Sequence, residues 1–406
     1  MPFADDMLLA LPEWTMPCHR KILIPVLSLQ LICALLWSRE GRAAEQKGTP
    51  KQVDAKLAVL VRPGEPGLAV LIKKDGQTVF EEGYGLRKLG SAEAITPETN
   101  FRLASFTKQF TAMAVMLLVH DGKLRYDTPL TEIFPAFPGY GKGITIRHLL
   151  THTSGLPDYE ELMDREEKAH GSRWTAEHQI QDEEVLALLE KESKGKFAPG
   201  TSWAYNNSGY VVLGLIVAKI SGSSYGDFLE RHVFAPLGMK ETLVYQSGKN
   251  EIRNRAYGHS LKQGKFIVTD QSSTSATLGD GGIYSNLQDL SKWDEALANH
   301  KLLSAEEMQL ALTPMKLADG REPHWPAEAD DDNLAPGKLV FYGFGWFRDP
   351  YQGHPRMWHS GSTMGFRTVI ECFTAKRLTI VILCNRTDLD PAKLAEQIAD
   401  FYLYEK

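Results

Sequence analysis

Residues 101–111 read Phe101-Arg102-Leu103-Ala104-Ser105-Phe106-Thr107-Lys108-Gln109-Phe110-Thr111. From about Ser105, Phe106, Phe110, Met113 and Leu117 recur at helical spacing, and His120-Asp121-Gly122 ends the run on a glycine. Ser105 and Lys108 stand three apart at the start of this helix and so share a face. There the lysine amine can reach the serine oxygen, and the helix N-terminus favours an alkoxide or an oxyanion. A lysine desolvated at such a place can lose its charge and accept a proton. Alone, the spacing is weak. Ser105 as a helix N-cap and Lys108 as a surface side chain would satisfy it equally.

Two other stretches supply companions. Tyr205-Asn206-Asn207 follows the glycine-flanked loop Pro199-Gly200-Thr201-Ser202-Trp203-Ala204 and precedes a helix expected over 210–220, stopped by Gly222. A phenol there can carry protons to the serine and the leaving group, and the Asn207 amide can orient the lysine and a substrate carbonyl. His359-Ser360-Gly361 stands beside a strand expected from Gly365 to Phe373. Gly361 would let a substrate backbone come close. The N–H of Ser362 could then be a second oxyanion donor beside that of Ser105.

On these stretches the sequence resembles the serine β-lactamase and penicillin-recognising family, in its class C β-lactamase and D-alanyl-D-alanine peptidase branch. The likeness extends over roughly 60–385. It also takes in Ile146-Arg147-His148-Leu149-Leu150-Thr151-His152-Thr153-Ser154-Gly155-Leu156, Tyr205 to Tyr210, and Gly279-Asp280-Gly281-Gly282-Ile283-Tyr284-Ser285. By residue match the resemblance implies Ser105 as acylated nucleophile, Lys108 as its activator, Tyr205 as acid/base and Asn207 as a pocket amide. It implies an α+β fold, an antiparallel sheet flanked by helices with a largely helical second lobe, and no metal or organic cofactor. One departure stands out. Many β-lactamases carry lysine where His359 stands, and a histidine supplies only a partial or pH-dependent charge to a substrate carboxylate.

The flanking sequence fits that plan. Gly67 to Ile72, the turn Lys73-Lys74-Asp75-Gly76 and Thr78-Val79-Phe80 read as a hairpin. Segments 366–373 and 378–385 read as another, and Asp390-Pro391 opens a last helix with Leu394, Ile398 and Phe401 on one face. Residues 225–233 are expected as a helix, and Ser285 to Gln288 as a capping box. One sheet is therefore expected from both ends of the chain, with an α/β part about 56–124 and 271–406 and a helical part about 125–270. Segments 263–275 and 320–334 read as surface loops.

At 43% hydrophobic and 24% charged, the 406 residues have ample material for a core, which excludes a disordered tail or a disulfide-stapled miniprotein. The 45 Lys and Arg against 51 Asp and Glu leave a net charge of -6 with no long basic stripe, so no nucleic-acid partner is expected. The apolar run Ile22 to Trp37 follows Arg20-Lys21 and precedes Gly41, Ala43 and Ala44. That is the layout of a secretory leader over 1–44, with Met16 as an alternative start, an uncleaved anchor as the alternative fate, and 45–406 as the hydrolase domain. A periplasmic or extracellular location follows.

Of four cysteines, Cys372 and Cys384 remain beyond the leader. The expected hairpin sets Cys372 opposite 379 and Cys384 opposite 367, too far apart for a disulfide. His148 and His152, four apart, lack a third ligand in sequence and are not expected to hold metal. The acidic run 328–332 reads as a solvated loop. The function expected is a serine hydrolase on amide or ester substrates, D-amino-acid peptides or β-lactams foremost. A small-ester carboxylesterase and a non-catalytic peptidoglycan-binding module are the alternatives. The sequence does not decide oligomeric state.

Overall fold

The computed structural model describes residues 49–328 and 335–404, so the leader and most of the acidic run lie outside the described residues. Strands β1 (Leu68–Lys74) and β2 (Gln77–Tyr84) form the expected hairpin about Asp75-Gly76, which take φ of 53° and 80°. Strands β3 (Met357–Thr363), β4 (Phe366–Phe373) and β5 (Leu378–Cys384) come from the other end, and β5 pairs with β1. All neighbours are antiparallel and the sheet order is β3-β4-β5-β1-β2. One sheet built from both ends around a helical insertion is the architecture found.

Both faces of this sheet are covered. Leu68, Val70, Ile72, Val369, Ile380, Ile382 and Cys384 share a core with helices α1 (Thr49–Ala58) and α4 (Pro391–Leu403). Ala69, Leu71, Ile370, Cys372, Val381 and Leu383 join the larger core of the helical body. Two-sided burial explains why Leu68–Ile72 and Ile380–Cys384 are unbroken apolar runs in an antiparallel sheet. Each buried Leu, Ile or Val among them contributes about 1.5–3 kcal/mol. Cys372 lies opposite Thr379 and Cys384 opposite Arg367, as expected; the two thiols are free and face different cores.

Helix α2 (Lys108–His120) begins only after a 3₁₀ turn, Ala104–Thr107. Helix α3 (Asn207–Ser221) starts three residues earlier than expected, because Asn206 caps it by accepting the Gly209 N–H at 2.8 Å. The 225–233 helix is interrupted: Tyr225–Leu229 passes into a π turn over Glu230–Phe234. Pro236 provides no N–H for the turn before it, and such wide turns absorb that loss.

Two expectations need correction, and one element is new. The helix over 287–298 is capped by Asn286, which accepts the Asp289 N–H; Ser285 ends a strand and bonds Thr242 instead. The 263–275 segment is in part a hairpin, His259–Lys262 with Lys265–Val268, turning on Gln263-Gly264 at positive φ. Helix α1 is an addition to the expected elements, although Val53 and Leu57, four apart and buried, carry its signal.

Candidate active site

Ser105 and Lys108 meet because a 3₁₀ turn has three residues per turn and stacks i directly against i+3. Lys108 Nζ donates to Ser105 Oγ at 2.9 Å, to Asn207 Oδ1 at 2.8 Å and to the Asp280 carbonyl oxygen at 3.1 Å. Lys108 is fully buried, while Ser105, Tyr205 and Asn207 are half-buried. The N-cap reading of Ser105 is thereby overturned. Leu103 holds the cap position, no side chain caps the turn, and the hydroxyl is engaged by lysine.

The backbone is bent to make this arrangement. Ala104 takes φ of 50°, a left-handed conformation that costs a residue with a Cβ about 1–2 kcal/mol. The turn is pressed against β3 at Gly361, where a Cβ would sit 2.1 Å from the Leu103 carbonyl oxygen and 2.4 Å from Thr368 Oγ1. Glycine is needed at 361, then, because the serine turn itself comes close there. Gly279 plays the same part on the other side: its Cβ would lie 2.3 Å from the Tyr210 carbonyl oxygen, so the 279–282 loop can press on α3 and offer Asp280 to Lys108.

Tyr205 has its ring centroid 4.9 Å from Lys108 Nζ, and Asn207 opens α3. The Asn207 N–H donates to Asp158 Oδ2 at 2.7 Å, and Asp158 also caps the helix Tyr159–His170. Asp158 is not among the residues expected from sequence, where its signal is no more than an Asp before a helix. His148 and His152, four apart in sequence, take separate structural parts: His148 closes a capping box with Thr145, and His152 joins the aromatic wall behind Tyr205.

His359 departs from expectation. Its ring is 1% exposed, with Nδ1 2.6 Å from the Ser360 carbonyl oxygen and Nε2 3.2 Å from the Tyr342 hydroxyl. A carbonyl can only accept, so Nδ1 carries the proton and the Tyr342 O–H donates to Nε2. Burial, and then the Lys108 ammonium, push its pKa down to about 3 against the pull of the Ser360 carbonyl. The ring is neutral across the physiological range. The partial, pH-dependent charge expected of it does not arise there.

This depression has a measurable sign. Between about 3 and 6.5 the unfolded ring binds a proton that the folded ring refuses, so its stability contribution is full above 6.5 and is lost as pH falls. Buried Asp182 and Glu371, whose carboxyls are raised (Glu371 to about 8), act in the opposite sense but cancel in a variant comparison. Relative to the parent, His359→Gln is expected to gain roughly 2–3 kcal/mol on going from pH 7.5 to 4.5 by urea unfolding. An equal difference at both pH values would mean the folded ring titrates normally.

The edge of the sheet completes the site. Trp358 exchanges both backbone hydrogen bonds with Phe347, on the side of β3 away from β4. Backbone direction alternates along a strand, so the N–H groups of Ser360 and Ser362 also point off that edge. A cavity of about 1120 Å³ runs along it, walled in part by Phe347, Trp358, Ser360, Gly361, Ser362 and Arg367; Ser105 and Lys108 are not among its walls. Among the described residues no three His, Cys, Asp or Glu side chains converge as metal ligands.

A family model described as Beta-lactamase matches residues 51–403. The chain belongs to the beta-lactamase family. Penicillin-binding protein 4* of Bacillus subtilis (strain 168) is 30% identical over 333 residues, 79% of this chain and 68% of that protein. The octameric penicillin-binding protein homologue from Pyrococcus abyssi is similar with a TM-score of 0.69 at 27% identity, over 84% of this chain and 74% of that one. A D-amino acid amidase from Ochrobactrum anthropi SV3 also gives 0.69, at 22% identity over 87% and 95%, a likeness of fold. This beta-lactamase-family chain is thus a member of a serine-hydrolase family, with an antiparallel sheet flanked by helices.

Proposed function

We propose that the protein is a serine hydrolase working through a Ser105 acyl-enzyme on D-amino-acid amides, peptides or esters whose leaving-group end is uncharged. The observation that carries this is the buried Lys108 amine, held by Asn207 and the Asp280 carbonyl within 2.9 Å of a half-exposed serine oxygen. The substrate carbonyl enters between the N–H groups of Ser105 and Ser362. Ser105 Oγ bonds to the carbonyl carbon, and its proton passes to Lys108 once that amine has shed its own proton, or to Tyr205, and on to the departing amine or alcohol. Water then adds to the acyl carbon, gives up a proton by the same route, and frees Ser105. The open N–H row at Ser360 and Ser362 supports an extended substrate laid along β3.

The uncharged end follows from His359. A neutral, doubly hydrogen-bonded ring presents no cation to a free carboxylate, which disfavours anionic β-lactams and free-acid peptides. The test pairs a D-alanyl-D-alanine peptide amide with its free acid, beside penicillin and p-nitrophenyl butyrate, with intact-mass detection of the acyl-enzyme. The amide is expected to exceed the acid about tenfold in kcat/KM, the worth of one charge-assisted hydrogen bond. A preference for the free acid would sink this assignment.

Export is part of the same proposal, supported by the run Ile22 to Trp37 behind Arg20-Lys21. Protein recovered from an exporting host is expected to begin near Ala44 or Glu45 by terminal mass analysis. An intact Met1 or Met16 in that fraction would contradict it.

A further inference from the structure

The reaction proposed above leaves His152 without a task. His152 is 1% exposed and takes φ of 58°, a left-handed conformation uncommon for a residue with a Cβ. In that conformation its carbonyl oxygen accepts the Ala204 N–H at 3.0 Å, while its ring Nδ1 accepts the Asn206 N–H at 3.2 Å. One residue therefore holds the backbone on both sides of Tyr205. Its ring also lies behind the phenol, 4.5 Å between centroids, and is wedged by Tyr210 at 5.1 Å and Tyr342 at 4.7 Å.

The arrangement works against stability in two ways. A left-handed backbone at a residue with a Cβ is strained. With Nδ1 accepting, the neutral ring carries its proton on Nε2, and that buried N–H has no hydrogen-bond partner among the described residues. Burial first, then the Lys108 ammonium and His359, hold the ring well below the usual histidine range, so Nδ1 stays an acceptor. A phenylalanine would fill the same space without stranding a donor, and an asparagine would accept the same N–H with less backbone strain. Histidine alone does both jobs: it brackets Tyr205 by hydrogen bonds and backs its ring.

We propose that His152 is a positioning residue that fixes the Tyr205 phenol against Lys108, clamping the 204–206 backbone with its carbonyl and Nδ1 and the ring with its imidazole face. The inference rests on Tyr205 being the acid/base of the proposed hydrolase. Small misplacements of such a group lower kcat by about a hundredfold while leaving substrate binding nearly intact.

The test is a double-mutant cycle on the best substrate of the panel above, with thermal melting to establish folding. His152→Phe, which keeps the ring and loses the acceptor, is expected to lower kcat about 100-fold with KM within about threefold. His152→Asn, which keeps an acceptor and tolerates positive φ, is expected to stay within about tenfold of the parent. Combined with Tyr205→Phe, His152→Phe is expected to cause no further loss, because both act on one group. Should the Phe variant not fold, His152→Leu, which also fills the space without an acceptor, carries the same comparison. Full activity of the folded acceptor-less variant, or an Asn variant as slow as it, overturns the clamp. If Tyr205→Phe is impaired and the two losses multiply, the hydrolase reading stands and the clamp alone fails. If Tyr205→Phe is itself fully active, the role of Tyr205 fails and takes the clamp with it.

Discussion

Ser105→Ala is expected to abolish covalent labelling by a fluorophosphonate or a penicillin and to lower hydrolysis about 10⁶-fold, the scale on which a nucleophile's loss is felt. At Ser105 a buried lysine, an asparagine amide and a backbone carbonyl converge on one point beside the hydroxyl. Folding should survive. The Ser105 hydroxyl caps nothing, and losing its bond from Lys108 costs about 1 kcal/mol. The measurement is intact mass after labelling, beside kcat and a urea unfolding curve. A folded variant that still labels and turns over would end the Ser105 mechanism and leave another nucleophile or a binding role standing.

Lys108→Ala is expected to fall nearly as far, and the Ser105→Ala/Lys108→Ala double variant no further than either alone. Both residues act on one proton transfer, so their losses are not additive. Lys108→Arg sharpens the point. It keeps the positive charge and can donate to Asn207 and Asp280, but a guanidinium does not give up its proton in a protein. If Lys108 takes the Ser105 proton, the arginine variant should be as slow as the alanine one. If the proton goes to Tyr205 and Lys108 supplies only charge, it should recover at least tenfold of the loss. Full activity in Lys108→Ala would remove lysine from the chemistry altogether.

Much of the fold and part of the site are legible in the sequence. The Ser105–Lys108 contact follows from their spacing, since residues three apart meet on any right-handed helical turn. The hairpins follow from apolar runs broken at Asp75-Gly76 and Thr374 to Arg377, and the pairing of β4 with β5 puts the two cysteines opposite the positions expected of them. Helix ends are legible where glycine or an Asx residue marks them, as at Gly222 and Asp390, and shift where a nearby residue caps better, as at Asn206 and Asn286.

Residues far apart in sequence are a different matter. That Lys108 is wholly buried, that Asp280 contributes its backbone rather than its carboxylate, and that Asp158 holds the start of α3 depend on three distant segments closing on one another. The charge state of His359 belongs to the same class. Its side-chain chemistry permits a cation, and only burial within the surrounding aromatic wall and the nearby Lys108 ammonium make it neutral, against the pull of the Ser360 carbonyl. By itself the sequence determined which chemical groups are present and which lie within a turn or a hairpin of each other, because local geometry depends on covalent spacing. Tertiary structure alone decided solvent access, protonation and backbone strain at those groups, because each depends on what long-range packing brings within a few ångströms and what water it excludes.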